Sequence, residues 1–338
     1  MNLKYKTSNL RFNHPFTTSK GTKTEQPALL VELEFFGVKG YGEAPAIDYY
    51  HISVDKMIDD IEAKRKMIEK VSFTEPERYW HYLHHLFPEN PFLVCAIDMA
   101  GWDIYGKLKR RQLYQLWKLD ISKNPVTDFT IGIDTIENMV SGIEETPWPV
   151  YKIKLGTPDD VQIIQELRKH TDSVFRIDAN AAWKAEEALE KIKIFSKLNV
   201  EFIEQPLAKD DWEGMKYLYE HSPLPLIADE SCVSEHDVEK CHNYFHGVNI
   251  KPTKCSGITP ALRMIEKSRE LGMKVMVGSM NESSIGTAAI AQLLPFLDYV
   301  DMDGPLLLEG DVAKGVEFEY GKIIYSDGYG LGVTVEAF

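Results

Sequence analysis

Short apolar runs in the second half of the chain end, one after another, in charged residues. Val150-Tyr-Lys-Ile-Lys-Leu155 carries Lys152 and Lys154, Val174-Phe-Arg-Ile-Asp178 ends in Asp178 with Asn180 just beyond, and Phe202-Ile-Glu204 ends in Glu204. Leu226-Ile-Ala-Asp229 leads into Glu230, Val248-Asn-Ile-Lys251 ends in Lys251, and Tyr299-Val-Asp301 leads to Asp303. A charge at the end of an apolar strand is costly unless it is paired or ligates something. One such residue is commonplace as an ion pair; six runs ending this way call for a shared purpose. Asp178, Glu204 and Asp229 lie on three consecutive runs. On adjacent strands, roughly 4.8 Å apart, their oxygens can converge on one hard cation. With no His or Cys in the set, Mg²⁺ is preferred to zinc. Without a cation the three carboxylates would repel one another and take up protons.

Lys154 and Lys251 flank this trio. A cation that holds a substrate carboxylate stabilises the enediolate left when the α-proton departs. Two lysines on opposite faces can remove that proton from one side and return one from the other, which inverts a stereocentre. Lys152 shares a face with Lys154 and is placed to lower its neighbour's pKa by like-charge repulsion or to hold a substrate oxygen. Lys254 competes with Lys251 for the second base. Lys251 is preferred because it ends the apolar run, whereas Lys254 falls in the loop that follows.

The elements that must position these residues follow from periodicity. The runs above, with Phe129–Ile133 before them and Val275–Val277 inserted, make eight strands spaced roughly every 22 to 27 residues. Amphipathic stretches such as Ala185–Leu198 and Pro260–Leu271 separate them, which describes a closed parallel α/β barrel better than an open sheet. Functional residues of such barrels sit at the C-terminal ends of the strands. Before the barrel, Ala28–Phe36 reads as a strand, Gly37–Gly40 as a turn and Tyr41–Glu43 as a returning strand. Helical spacing from about Ser53 to Leu108, with Leu93, Ile97, Ala100, Gly101 and Ile104 on one face, completes an α+β unit. No GxGxxG follows a strand, and Gly40-Tyr-Gly42 lies in a hairpin, so a dinucleotide site is excluded.

Lys-Ile-Lys, Arg-Ile-Asp-Ala-Asn, Ile-Glu-Gln-Pro, Ala-Asp-Glu-Ser and Asn-Ile-Lys-Pro-Thr occur in that order. Together they resemble the enolase superfamily, and within it the muconate lactonizing enzyme subgroup. Tyr41-Gly-Glu-Ala-Pro45 and Ile104-Tyr-Gly-Lys107 resemble a strand end and a helix end of that family's capping domain. The resemblance implies a modified TIM barrel, (β/α)7β-like, over residues 123–317. An α+β cap would come from residues 1–122, joined by 318–338. It implies Asp178, Glu204 and Asp229 as ligands of one Mg²⁺ per subunit and Lys154 and Lys251 as the acid/base pair. Asp301-Met-Asp303 resembles the Asp-x-Asp pair with which dipeptide epimerases hold a substrate ammonium, and two same-face carboxylates do suit a cation. Val277-Gly-Ser-Met-Asn-Glu282 resembles those enzymes' seventh-strand segment, so Met280 and Glu282 join Lys152 as candidate substrate contacts. The mobile loop that covers the barrel in this family would here contain Thr18–Lys23. Lys23, or Lys20 beside it, would read the substrate side chain, although members acting on Ala-Glu carry an arginine where Lys23 stands.

The expected reaction is epimerisation of the C-terminal residue of a dipeptide, foremost L-Ala-D/L-Glu from murein peptides. The same site could serve an o-succinylbenzoate synthase, an N-acylamino-acid racemase or a muconate cycloisomerase. A metal-independent Schiff-base aldolase is the reading from another class. A net charge of −14 argues against nucleic acid as a partner. The apolar share of 44% is that of a globular chain, and no apolar run nears the ~20 residues that span a bilayer. Four cysteines without a CxxC pair and no secretory h-region at the N-terminus lead to the expectation of a cytoplasmic protein, a homo-oligomer being allowed. His81, His84 and His85 read as a helix surface. Lys107, Lys109, Arg110 and Arg111 read as a helix C-terminal charge run, and Ser279, Ser283 and Ser284 lack a nucleophile elbow.

Overall fold

Alternating residues build the first layer. In the computed structural model, which describes residues 1–336 and 338, β1 (Asn2–Thr18), β2 (Gly21–Phe35) and β3 (Val38–Pro45) form an antiparallel sheet in that order. Three helices cover it: α1 (Val54–Lys70), α2 (Pro76–Leu86) and α3 (Pro91–Lys109). The starts of α1 and α3 follow the capping rule, since Ser53 accepts from the Lys56 N–H and Asn90 from the Leu93 N–H. α3 is buried along nearly its whole length because it lies directly on β3. A Cβ at Gly42 would stand 1.8 Å from the Ala96 carbonyl oxygen, so only glycine permits that approach.

The second half is a parallel eight-stranded sheet in sequential order: β4 (Phe129–Ile131), β5 (Val150–Lys154), β6 (Val174–Asp178), β7 (Val200–Glu204), β8 (Leu226–Ala228), β9 (Gly247–Ile250), β10 (Lys274–Gly278) and β11 (Tyr299–Asp301). A parallel bridge between Thr127 and Val300 brings the first and last strands together, so the sheet all but closes into a barrel. All eight strands read from the sequence are present, with ends shifted by a residue or two. Alternation sorts their side chains. Tyr151, Ile153, Phe175, Ile177, Val248, Ile250 and Val300 join the large core between barrel and helices. Phe202, Ile227 and Met276, with Tyr299 packed on them, form a small separate cluster inside the barrel. Arg176 crosses the interior above Phe202 and Tyr299. It pairs with Asp128 (2.9 Å) and Glu201 (2.8 Å) and donates to the Val300 carbonyl (3.0 Å), tying β6 to the closing seam.

Two features depart from the sequence reading. Thr18–Lys23, expected as a loop, is paired backbone: Thr18 faces Gly21, Thr17 faces Thr22 and Phe16 faces Lys23 across a two-residue turn. The β-branched residues Thr17, Thr18, Thr22 and Thr24 on its arms, with Gly21 at φ +126°, favour a hairpin there. The Gly37 turn is also tighter than expected, with β3 resuming at Val38. After the barrel, β12 (Glu317–Glu319) and β13 (Lys322–Ile324) form a hairpin whose Gly321 carbonyl accepts from the Thr127 N–H at 2.8 Å. The tail then runs to α3, where the Leu331 N–H donates to Asp103 at 2.9 Å.

Candidate active site

The register of the barrel assembles the charged residues at one end. Lys154 faces Asp178, and Asp178 faces Glu204, in successive pairs of strands. Asp178, Glu204 and Asp229 each offer an oxygen within 4.8 Å of the others, and all three are buried. The set is all carboxylate, the donor chemistry of a hard divalent cation. Glu204 Oε2 receives no directed hydrogen bond, only the ion-pair contact of Lys152 at 2.9 Å. The residues present therefore fit Mg²⁺.

Four lysines surround the trio. Lys154 contacts Asp178 (2.6 Å), Lys251 contacts Asp229 Oδ2 (2.9 Å), and Lys254 contacts Asp229 Oδ1 (2.6 Å). Lys152 reaches Asp301 (2.7 Å), Glu204 (2.9 Å) and Asp178 (3.2 Å). Burial pushes Asp178 and Asp229 upward, but the adjacent ammonium groups outweigh it and hold both below the usual carboxylate range. Glu204 goes the other way: burial, then the charge of Asp178, raises it. Burial lowers Lys152 and Lys251, yet the facing carboxylates more than reverse this and keep both well above an ordinary lysine.

A cavity of about 570 Å³ opens above this layer, and Lys154, Asp229, Lys251 and Asp301 line it together with Lys23 and Met280. β5 and β9 are four strands apart in an eight-stranded barrel, so Lys154 and Lys251 approach from opposite sides. Lys254 sits in a short helix (Pro252–Cys255) behind the wall, with its ammonium also on the Asp229 and Asn249 carbonyls. Three residues expected to touch substrate are likewise behind the wall. Lys152 is 1% exposed and is held by three carboxylates, because its place one layer deeper puts it under the trio. Asp303 is occupied by the Thr130 N–H at 2.6 Å, while its Oδ1 is buried without a hydrogen-bond partner. Only Asp301 of the two aspartates lines the cavity. Glu282 is 1% exposed and turns back onto the Met280 N–H.

The cap completes the cavity. At the tip of the β1–β2 hairpin, Ser19 donates to the Asn180 carbonyl (3.2 Å) and Lys20 pairs with Glu230. A Cβ at Gly156 would lie 2.8 Å from that of Ser19, so glycine makes the seat for the tip. Lys23 donates to Gln26 Oε1 at 3.1 Å. From β3, Glu43 accepts from the Ser283 N–H (3.0 Å) and hydroxyl (2.6 Å) and the Gly286 N–H (3.1 Å), clamping the segment that carries Met280.

Several positioning residues had escaped the sequence reading. Asn249 Nδ2 donates to Glu204 Oε1 at 2.8 Å; its signal was an inward-facing polar residue in the apolar run of β9. Gln205 Oε1 accepts from the N–H groups of Asp229 (3.0 Å) and Ser231 (3.1 Å), fixing the backbone that carries Asp229. Glu43 stands in the Tyr41–Pro45 motif, whose pattern does not reveal its hold on Ser283 and Gly286. Tyr49, Tyr50 and Phe16 line the cavity from the cap, and nothing local marked them.

A parallel barrel with carboxylates on three successive strands, opposed lysines and a cap over the mouth defines a class. Residues 134–337 match the enolase C-terminal domain-like family, and residues 3–117 match the N-terminal domain of the mandelate racemase / muconate lactonizing enzyme family. The chain belongs to this family, the enolase superfamily. Among its relatives, the L-Ala-D/L-amino acid epimerase of Flavobacterium johnsoniae is 50% identical over 327 residues, 97% of each chain. The L-Ala-D/L-Glu epimerase of Bacillus subtilis, solved as a substrate-liganded complex, superposes with a TM-score of 0.94 at 27% identity, covering 100% of this chain and 99% of that one. The dipeptide epimerase of Enterococcus faecalis, solved with Mg and L-Leu-L-Tyr, gives 0.93 at 27% identity over 98% and 99%.

Proposed function

We propose that this chain is a Mg²⁺-dependent dipeptide epimerase that inverts the α-carbon of the C-terminal residue, with L-Ala-D/L-Glu among its substrates. The observation that carries the reading is the pair of opposed lysines beside three convergent carboxylates. Asp178, Glu204 and Asp229 would hold the cation, which when bound neutralises the substrate carboxylate and the enediolate derived from it. Lys154 and Lys251 stand on opposite sides of the cavity, one to take the α-proton and the other to return one to the opposite face. Asp301 offers a carboxylate to the substrate ammonium, with Asp303 behind it; this speaks against o-succinylbenzoate and muconate chemistry, whose substrates have no ammonium. A Schiff-base aldolase would need no metal and would leave the convergent carboxylates of Asp178, Glu204 and Asp229 without a role. Among the described residues no helix is long and apolar enough to cross a membrane.

The test is incubation with Mg²⁺ and a dipeptide panel in D₂O, followed by mass spectrometry. Epimerised dipeptides should gain one deuterium at the C-terminal α-carbon. Lys154→Ala and Lys251→Ala should each stop epimerisation while retaining exchange on opposite enantiomers. Full activity in excess chelator would refute the metal dependence, and normal epimerisation by either variant would refute the two-base mechanism.

A further inference from the structure

The wall that the cap adds to the cavity is not electrically simple. It carries Lys20 and Lys23, together with Asp48, and it meets Glu230 of the barrel. Lys20 reaches from the hairpin tip, packs over the Tyr49 ring at 3.9 Å and pairs with Glu230 Oε1. Glu230 is 4% exposed and lines the cavity, yet its second oxygen, Oε2, is buried with no hydrogen-bond partner. A buried carboxylate oxygen is stable when a donor satisfies it, and charged acceptors demand one most strongly. Lys20 accounts for one oxygen and leaves the other without a donor, at the edge of the cavity that the residue lines.

The position says which part of a ligand would supply the donor. Glu230 follows Asp229 directly, on the side of the cavity where the trio would hold a carboxylate. Asp301, the acceptor for an α-ammonium, ends β11, three strands away from β8. A dipeptide laid between them directs its C-terminal side chain toward the Glu230 end. We propose that Glu230 is a specificity residue that accepts a hydrogen bond from an ammonium, guanidinium or amide on the substrate's C-terminal side chain. This rests on the dipeptide reading above. Lys20 supplies the complementary half: an acidic side chain must draw the lysine away from Glu230, whereas a basic one brings the donor that the second oxygen lacks. One ion pair thus admits side chains of either charge and keeps the pocket from being selective for glutamate.

Glu230→Gln preserves shape and removes the charge, and Lys20→Gln does the same for its partner on the hairpin. Steady-state rates on L-Ala-L-Lys, L-Ala-L-Glu and L-Ala-L-Leu separate the effects, because ratios to the leucine substrate cancel a general loss of activity. In Glu230→Gln the kcat/KM ratio of the lysine to the leucine substrate should fall at least tenfold, mostly through KM. The ratio for the glutamate substrate should rise as Lys20 is released. Lys20→Gln should move both ratios the other way, and it provides the test should Glu230→Gln not fold. An equal loss on all three substrates in Glu230→Gln, with weaker Mg²⁺ binding by calorimetry, would assign Glu230 to supporting Asp229 and overturn the proposal alone. Wild-type protein that turns over none of the three would overturn the dipeptide reading, and the proposal with it.

Discussion

Asn249→Ala isolates what the neighbours of the metal ligands contribute. Asn249 is fully buried, its Nδ2 stands 2.8 Å from Glu204 Oε1, and it does not line the cavity. A hydrogen bond to a charged group is worth about 1.5–3 kcal/mol. Glu204 has little else to orient it, since its other oxygen has only the Lys152 contact. Losing the donor lets the carboxylate rotate away from the trio and leaves a buried charge less solvated. Support of this kind is worth about 10–100-fold in metal affinity, or about 1.4–2.7 kcal/mol.

The amide also packs against Gly278, where an added Cβ would stand 2.7 Å from Asn249 Oδ1. The alanine variant therefore leaves a small gap as well. Calorimetric titration with Mg²⁺ should show the dissociation constant rising at least tenfold. Under saturating Mg²⁺ the kcat should stay within a few-fold of wild type, because Asn249 touches no reacting atom. An unchanged dissociation constant together with a kcat reduced a hundredfold would refute the reasoning and place Asn249 among the groups that meet the substrate.

Lys254→Ala removes the partner of Asp229 Oδ1 from behind the wall, and breaking a buried pair costs about 3–5 kcal/mol. The variant should melt earlier but still exchange the α-proton of both enantiomers; loss on one enantiomer only would make Lys254 the sixth-strand base. Stability should also fall with rising pH. Burial pushes Glu43 up to about 7, and burial followed by the charge of Glu43 pushes Glu282 up to about 8, from an ordinary 4.5. Between those limits the folded state keeps protons that the unfolded chain has released. The stabilisation is present below pH 4.5 and is lost as pH rises through 7 to 8, by about 3 kcal/mol for Glu43. Glu282→Gln should flatten the dependence in urea titrations from pH 5 to 8, and an unaltered slope would remove this pair from the account.

What could be read from the sequence is what depends on neighbours along the chain or one strand away. Period-two alternation places Asp178, Glu204 and Asp229 on the inner face, and parallel register brings the ends of adjacent strands level, so their convergence follows from local pattern alone. Opposition of Lys154 and Lys251 needs only a count of strands. The fates of Lys152 and Asp303 turn on a different quantity, the layer of the barrel each side chain occupies. Lys152 lies two residues below Lys154 and finds Asp301, 149 positions away, at 2.7 Å. Asp303 is claimed by an N–H 173 positions upstream. No window of sequence contains either pairing, because both arise from closure of the barrel between β4 and β11. The hairpin tip repeats the lesson across the domain boundary. Thr18–Lys23 holds two lysines that look equivalent, yet the turn between Thr18 and Gly21 sends Lys20 across to Glu230, 210 positions later, while Lys23, paired with Phe16, stays with Gln26 of its own strand. Composition could say that the mouth of the site holds two cations. Which of them faces a carboxylate is decided by register, and a hairpin shifted by one residue would exchange their faces.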